Sequence, residues 1–331
     1  MGMTLRLGIL GAGYIGGVHV QVLASDARVQ IVGVGDAAPA RAEELAARVG
    51  ATACSGPDAP ARLLDLGIDA IYICVPNVQH ACMARQALEA GIHVFLEKPF
   101  ATTVEDARTL LEVARRARGL CQVGHSRRFA PVYQFARRAL ENGFVAYSAD
   151  IKMNRGELQR PPWTADPQVT GGFLYETPIH QFDLVRWLLG EVAWVHALAA
   201  RNCYSDFDDF AVLVALRDGR FCTLTTCAHT GWLFPFERWE LHGEHRTLVI
   251  EELDRVALSH GLDAETEVHD YAQLTFAQKG GYAQEDRAFI DAILTGTPPP
   301  VTAEDGFRAV LLADAIYRSV RERRPVEVPQ E

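Results

Sequence analysis

The sequence predicts an α/β protein in two parts. A doubly wound parallel sheet comes first, followed by an α+β domain built on a large, mostly antiparallel open sheet. Three observations carry this reading. Apolar runs of strand length alternate with helical patterns through the first 125 residues, the rhythm of βαβ units. After Gly124-His125-Ser126-Arg127-Arg128 the rhythm changes to strand-like runs without intervening helices. Between two of those later runs stands Asp218-Gly219, a strong hairpin signal. The division is therefore expected at 125/126, with residues 1–125 in one domain and 126–331 in the other.

The first element runs from Leu5 to Leu10 and ends at Gly11-Ala12-Gly13-Tyr14-Ile15-Gly16. A helical pattern through Val18, Val20, Val22 and Leu23 follows, then a second strand from Val29 to Val34, closed by Asp36. A GxGxxG gains meaning from this context: a strand before it, a helix after it, and an acid about 20 residues beyond the last glycine. Gly11 permits the tight turn, Gly13 lets the backbone approach a pyrophosphate, and Gly16 lets helix and strand pack closely. The helix start, with Tyr14 and Ile15, offers its first N–H groups and the positive end of its dipole to phosphate. Asp36 is placed to accept from ribose hydroxyls, and its charge repels a 2′-phosphate. Ala37-Ala38-Pro39-Ala40 bring no cation to offset that repulsion. NAD is thus the expected cofactor, ahead of NADP.

Arg41 to Val49 reads as a helix stopped by Gly50, Ala51 to Cys54 as a strand, and Asp58 to Leu66 as a short helix. Ala70 to Val75 is a continuous apolar run, as a strand buried on both faces requires. It ends in Pro76-Asn77, before a helix from about Val78 to Ala90 that carries His80. His93 to Leu96 is the next strand, ending in Glu97-Lys98-Pro99; a helix from about Thr103 to Arg118 and a strand from Leu120 to Val123 complete the set. Ligands of such sheets lie beyond the carboxyl ends of the strands. Three turns share that edge: Gly11 to Gly16, Pro76-Asn77 and Glu97-Lys98-Pro99. Lys98 is the first chemical candidate there. His80 could face the site or satisfy a local hydrogen bond.

In the second part a helix from about Pro131 to Asn142 precedes strands near Val145–Met153, Val192–Cys203, Phe210–Leu216, Phe221–Cys227 and Arg238–Leu241. Met153 to Gln168 reads as a loop. An open antiparallel sheet keeps one face for its own helices, and the other commonly becomes an interface between copies. Gly171-Gly172 leads into Glu176-Thr177-Pro178-Ile179-His180, then an apolar helical stripe of Phe182, Val185, Leu188 and Leu189 ended by Gly190. Thr177-Pro178 suggests an N-cap with proline at the first helical position. His180 would then lie in the first turn, where the helix dipole disfavours a charged imidazole, and a neutral imidazole can act as general base. A helix that starts earlier and bends at Pro178 would instead put Glu176 and His180 on one face.

Composition narrows the alternatives. A formal net charge of −10 argues against a nucleic-acid surface. No stretch of 18 apolar residues suggests a membrane span, and the amino-terminal apolar run has no basic leader. Seven cysteines show no CxxC and no zinc-like spacing, so no metal site is expected. The cytoplasm suits a chain that uses cysteine as a small hydrophobe.

Taken together, Gly11 to Gly16, Cys74-Val75-Pro76-Asn77 with His80, Glu97-Lys98-Pro99, Gly171-Gly172 leading to His180 and Asp183, and the closing stretch from Gly281-Tyr282 to Val328 resemble one family over almost the whole chain. It is the glucose–fructose oxidoreductase, inositol dehydrogenase and rhizopine-catabolism (Gfo/Idh/MocA) group of NAD(P)-dependent oxidoreductases. The resemblance implies a Rossmann domain, and a Lys98 and His180 that flank substrate and nicotinamide. It also implies a sugar, polyol or inositol-like substrate oxidised at a carbinol carbon. Inositol-dehydrogenase-like members carry Asp-x-x-x-His where this chain has Glu176 to His180, a longer carboxylate. Arg127, Asn154, Arg155, Trp163 and Tyr282 are candidate substrate contacts. A homodimer or homotetramer through the carboxy-terminal sheet is expected. A lyase-type enzyme that oxidises transiently on retained NAD and a non-catalytic dinucleotide sensor stand as alternatives.

Overall fold

The computed structural model describes residues 4–154, 161–231 and 236–330. These form two compact units: residues 1–125 with 282–307, and residues 126–281 with 308–331.

The first unit contains a six-stranded parallel sheet. Its strands are β1 (Leu5–Leu10), β2 (Val29–Asp36), β3 (Thr52–Ser55), β4 (Ala70–Ile73), β5 (His93–Glu97) and β6 (Cys121–Gly124), in the order β3-β2-β1-β4-β5-β6. That order reverses between β1 and β4, which places the ligand crevice of a doubly wound sheet at their carboxyl ends. Every residue of β4 is buried, as a central strand covered on both faces demands. The helix Val104–Arg116 shows how local chemistry sets boundaries. Thr103 accepts from the Asp106 N–H at 3.1 Å, Glu105 and Asp106 sit in the first turn, and Arg115 and Arg116 in the last. Each arrangement complements the helix dipole.

The sequence reading assigned all of 126–331 to the second part. Residues 282–307 instead belong to the first unit. The reason is apolar: Phe289 and Ile290 on the helix Tyr282–Thr295 are fully buried in the core with Leu5, Leu7, Ile9, Val20, Tyr72 and Phe95. Tyr72, Phe95 and Phe289 form an aromatic cluster with ring centroids 4.6 to 5.7 Å apart. Burial of such side chains contributes about 1.5–3 kcal/mol each, so this helix is part of the first core despite its late place in the chain.

The second unit is organised on a nine-stranded sheet, ordered β14-β13-β12-β11-β7-β10-β9-β8-β15. Its strands are β7 (Ser148–Met153), β8 (Val192–Ala200), β9 (Asp209–Leu216), β10 (Phe221–Cys227), β11 (Glu237–Gly243), β12 (Arg246–Glu251), β13 (Arg255–Ser259), β14 (Thr266–Asp270) and β15 (Val326–Glu327). All pairings are antiparallel except β7 with β10. The Asp218-Gly219 turn joins β9 to β10 as its sequence indicates, with Gly219 at φ +90°. One face carries Val195, Ala197, Phe210, Val212, Val214, Cys222 and Leu224, all buried. The opposite face exposes Leu198, Leu213 and Phe221, and adjacent register positions bring them into one patch. Within the stretch read as a loop lie a 3-10 turn (Pro162–Ala165) and a helical turn (Pro167–Thr170).

Candidate functional site

In the first unit, one group of candidate residues stands at the carboxyl ends of β1, β2, β4 and β5. Gly11 follows β1 at φ +102°, and a Cβ there would lie 2.3 Å from the Cys74 carbonyl oxygen beyond β4. Only glycine lets the two strand ends approach so closely. At Gly16 a Cβ would meet the Gly11 carbonyl oxygen at 2.0 Å, whereas at Gly13 it would meet nothing within 4 Å. The first and third glycines are therefore required by packing. The second leaves open space before the first N–H groups of the helix Tyr14–Leu23, whose N-cap is Gly13. That is the cradle a pyrophosphate needs.

Asp36 ends β2, and its two carboxylate oxygens accept from the Ala12 and Ala38 N–H groups, each at 2.8 Å. One strand-end carboxylate is thereby pinned to the glycine turn. Each oxygen keeps a further lone pair for a hydroxyl donor. Pro76 caps the 3-10 turn Asn77–Gln79, and Asn77 is buried.

His80 is fully buried. Its Nδ1 lies 2.7 Å from the Pro99 carbonyl oxygen and its Nε2 2.8 Å from that of Val75. Burial lowers its pKa, against the pull of the two carbonyls. The ring thus ties the turn after β4 to the Glu97-Lys98-Pro99 turn. Lys98 itself is half-buried at the end of β5, and its N–H reaches the Glu97 carboxylate at 3.1 Å.

Behind Glu97 lies a group the sequence reading passed over. His19 is fully buried; its Nδ1 is 2.8 Å from Asp286 Oδ1 and its Nε2 3.2 Å from Glu97 Oε1. Burial opposes a charge on this ring, but the Asp286 and Glu97 carboxylates outweigh it and lift the pKa to about 10. Burial also raises the Asp286 carboxyl, against the pull of His19. A signal was present in the sequence. The buried stripe of the first helix is Gly16, His19, Val20 and Leu23, a helical i, i+3, i+4, i+7 pattern that includes the histidine. The expected stripe used Val18 and Val22, which are only half-buried. Tyr282 packs its ring against His19, centroids 5.8 Å apart.

A second group of candidate residues lies in the other unit. A short helix (Phe173–Glu176) is followed by the helix Ile179–Leu189, whose N-cap is Pro178 without a side-chain cap. The expected Thr177 cap is thus corrected: Thr177 ends the preceding turn at ψ −53°, and Pro178 precedes the first helical residue instead of occupying it. His180 still falls in the first turn, and Glu176 and His180 are both buried. This turn is anchored just beyond His180. Gln181 donates to Glu237 at 3.2 Å and accepts from the Trp239 indole N–H. Asp183 receives a bidentate pair from Arg128 at 2.6 and 2.7 Å. Glu237 also accepts from Tyr133 at 2.5 Å and from Arg127 Nε at 3.2 Å. Arg127, expected as a substrate contact, is therefore engaged by a buried carboxylate.

Among the other expected contacts, the Asn154 N–H donates to the Phe236 carbonyl at 2.6 Å and Trp163 is half-buried in its 3-10 turn. Arg155 lies outside the described residues. The fold also gathers Asp209, Cys227 and His229 into a group with metal-ligand chemistry, which linear spacing did not indicate. Its His229 Nε2 and Asp209 Oδ2 stand 3.4 Å apart.

Residues 5–125 match the oxidoreductase family with an NAD-binding Rossmann fold, and residues 138–328 match the carboxy-terminal alpha/beta domain of the same family. The chain belongs to the Gfo/Idh/MocA oxidoreductase family. It is 31% identical to an inositol 2-dehydrogenase from Rhizobium meliloti (strain 1021), over 98% of this chain and 100% of that one. It is 27% identical to the scyllo-inositol 2-dehydrogenase (NAD(+)) of Bacillus subtilis (strain 168), over 98% and 96%. The fold superposes on levoglucosan dehydrogenase in complex with NADH with a TM-score of 0.91, covering 99% of this chain and 100% of that one at 21% identity. As a Gfo/Idh/MocA protein the chain is an NAD-binding oxidoreductase, and the glycine turn, the strand order and the pinned Asp36 are the parts that fit that cofactor.

Proposed function

We propose that this Gfo/Idh/MocA protein is an NAD-dependent dehydrogenase that moves a hydride between the nicotinamide and a carbinol carbon of a sugar, polyol or inositol-like substrate. The observation that carries the reading is full-length likeness to an inositol 2-dehydrogenase at 31% identity, in a chain that keeps Lys98 and His180. NAD, when bound, supplies the hydride acceptor. The protein's own residues then have three tasks. His180 takes the proton of the hydroxyl being oxidised, general-base work worth about 10²–10⁴ in rate. Lys98 hydrogen-bonds the same oxygen and stabilises the negative charge that develops on it. Glu176 orients His180 or holds a neighbouring hydroxyl. Within the nucleotide half, Gly13, Tyr14 and Ile15 receive the pyrophosphate, Asp36 the ribose, and Pro76, Asn77, His80 and Glu97 shape the nicotinamide end. Asn154, Trp163 and Tyr282 stand as candidate substrate contacts.

The exposed sheet face with Leu198, Leu213 and Phe221 supports assembly with a second copy, as a dimer or tetramer. Seven free cysteines support a reducing, cytoplasmic setting. No helix among the described residues is long and apolar enough to cross a membrane.

The test is a panel of polyols and sugars with NAD and with NADP, following absorbance of the reduced cofactor. Turnover with an inositol or sugar alcohol, lost in Lys98→Ala and His180→Ala, is the expected result. No net NADH with any member, together with cofactor retained through purification, would replace the reading with a transient-oxidation lyase. A Lys98→Ala protein with unchanged cellular function would replace it with a sensor.

A further inference from the structure

We infer that His19 is a positioning residue for Lys98: held as an imidazolium between Asp286 and Glu97, it locks the Glu97 carboxylate and, through it, the Lys98 amide. The inference rests on the proposed role of Lys98.

The geometry calls for a cation. Both ring nitrogens of His19 face carboxylate oxygens, at 2.8 and 3.2 Å. With both acids ionised, a neutral imidazole, which has one N–H and one lone pair, would set its lone pair against one of the two buried carboxylates. Two N–H groups satisfy both, as charge-assisted bonds. Asp286 comes from the helix Tyr282–Thr295 and Glu97 from β5. The buried set is completed by Glu285 on that helix, with Tyr72 in β4 and Cys74 just beyond it, whose phenol and thiol are pushed up by burial and then by the neighbouring carboxylates. The rings of Tyr72 and Phe95 close over the imidazole, centroids 5.2 and 4.9 Å away.

The connectivity gives this cation a task beyond holding the core. His19 lies one turn beyond Gly16, on the helix whose first residues form the phosphate cradle. Its Nε2–H holds Glu97 Oε1, while Glu97 Oε2 accepts from the Lys98 N–H. Gly124, the register partner of Glu97, leaves the room: a Cβ there would lie 3.0 Å from Glu97 Oε1. One side chain thus fixes the strand end that carries Lys98 relative to the helix that receives the dinucleotide. Loss of that link would displace Lys98 from the reacting oxygen without removing any group that binds NAD. Displacement by about 1 Å can cost 10²-fold in rate.

The first measurement uses the wild-type full chain labelled with ¹⁵N-histidine. Of its 11 histidines, one should keep both ring nitrogens protonated through pH 8, and that signal should be missing in His19→Gln. If every histidine turns neutral below pH 8, the inference is overturned, whatever Lys98 does. The second measurement compares His19→Gln and Asp286→Asn with wild type. The expected result is a fall in kcat of roughly 10- to 100-fold with the KM for NAD within about twofold, a displaced pH profile of kcat, and a cooperative thermal transition. A loss that merely follows the folded fraction, with an unchanged pH profile, means His19 is structural only. Lys98→Ala and the double variant His19→Gln/Lys98→Ala separate the two claims. If Lys98→Ala retains full kcat, the role of Lys98 fails while the ring-nitrogen result stands by itself. If Lys98→Ala is impaired and His19→Gln costs just as much in its background, positioning through Lys98 fails.

Discussion

At the scale of single residues, two side chains show how a site can be prepared before any ligand arrives. Asp36 is held by two backbone N–H groups, so it presents a fixed negative charge at the strand end proposed to receive the adenosine ribose. Replacement by alanine removes one charge-assisted hydrogen bond to that ribose, worth about 1.5–3 kcal/mol. NAD affinity should then fall roughly 10- to 100-fold, and the preference for NAD over NADP should narrow. The ratio of kcat/KM with the two cofactors measures this, and an unchanged ratio would remove Asp36 from cofactor choice. His19 makes the second case, with a sign that can be worked out. Its folded pKa of about 10 stands above the ordinary 6.5. The stability it contributes is complete below about pH 6.5 and fades as pH rises toward 10. The melting temperature of wild type should therefore drop toward that of His19→Gln between those limits. A gap that stays constant across that window would show that the ring does not carry the charge.

At the scale of elements, the glycine turn was legible because each glycine answers to a backbone requirement. The structure separates those requirements. Gly16 is needed because the helix Tyr14–Leu23 meets the Gly11 carbonyl, and both partners in that contact are backbone, which cannot rotate away. A Gly16→Ala protein should lose about 1–3 kcal/mol of stability and also NADH binding, read by thermal melting and by fluorescence of the bound reduced cofactor. Wild-type values in both would show that the helix can shift without cost. The start of the helix Ile179–Leu189 was legible only in part. Pro178 signalled a helix start, but which residue caps it depends on the turn Phe173–Glu176, and nothing in the local spelling forces that turn. The anchors of His180 were hidden for a related reason. Gln181 and Asp183 read as ordinary helix residues until β11 and the stretch at Arg127-Arg128 bring Glu237 and a guanidinium to them.

At the scale of the whole molecule, the open sheet of the second unit leaves an apolar surface in water. Trp194, Ala215 and Phe221 align across β8, β9 and β10, as do His196, Leu213 and Thr223. If copies pair through this face, Leu213→Glu should shift the protein to monomers in light scattering after size exclusion, without loss of secondary structure. A wild-type protein that is already monomeric at micromolar concentration would end that proposal.

By itself the sequence determined the periodic elements: six alternating strands and helices, the hairpin at Asp218-Gly219, and the three turns on one sheet edge. These depend on local rules, apolar periodicity and backbone freedom, which a short window contains. Only the tertiary structure decided that the helix Tyr282–Thr295 belongs to the first core, and that His19, Glu97 and Asp286 meet. Those outcomes depend on burial between segments as far as 267 positions apart. A buried charge reveals its partner only once the chain has closed around it.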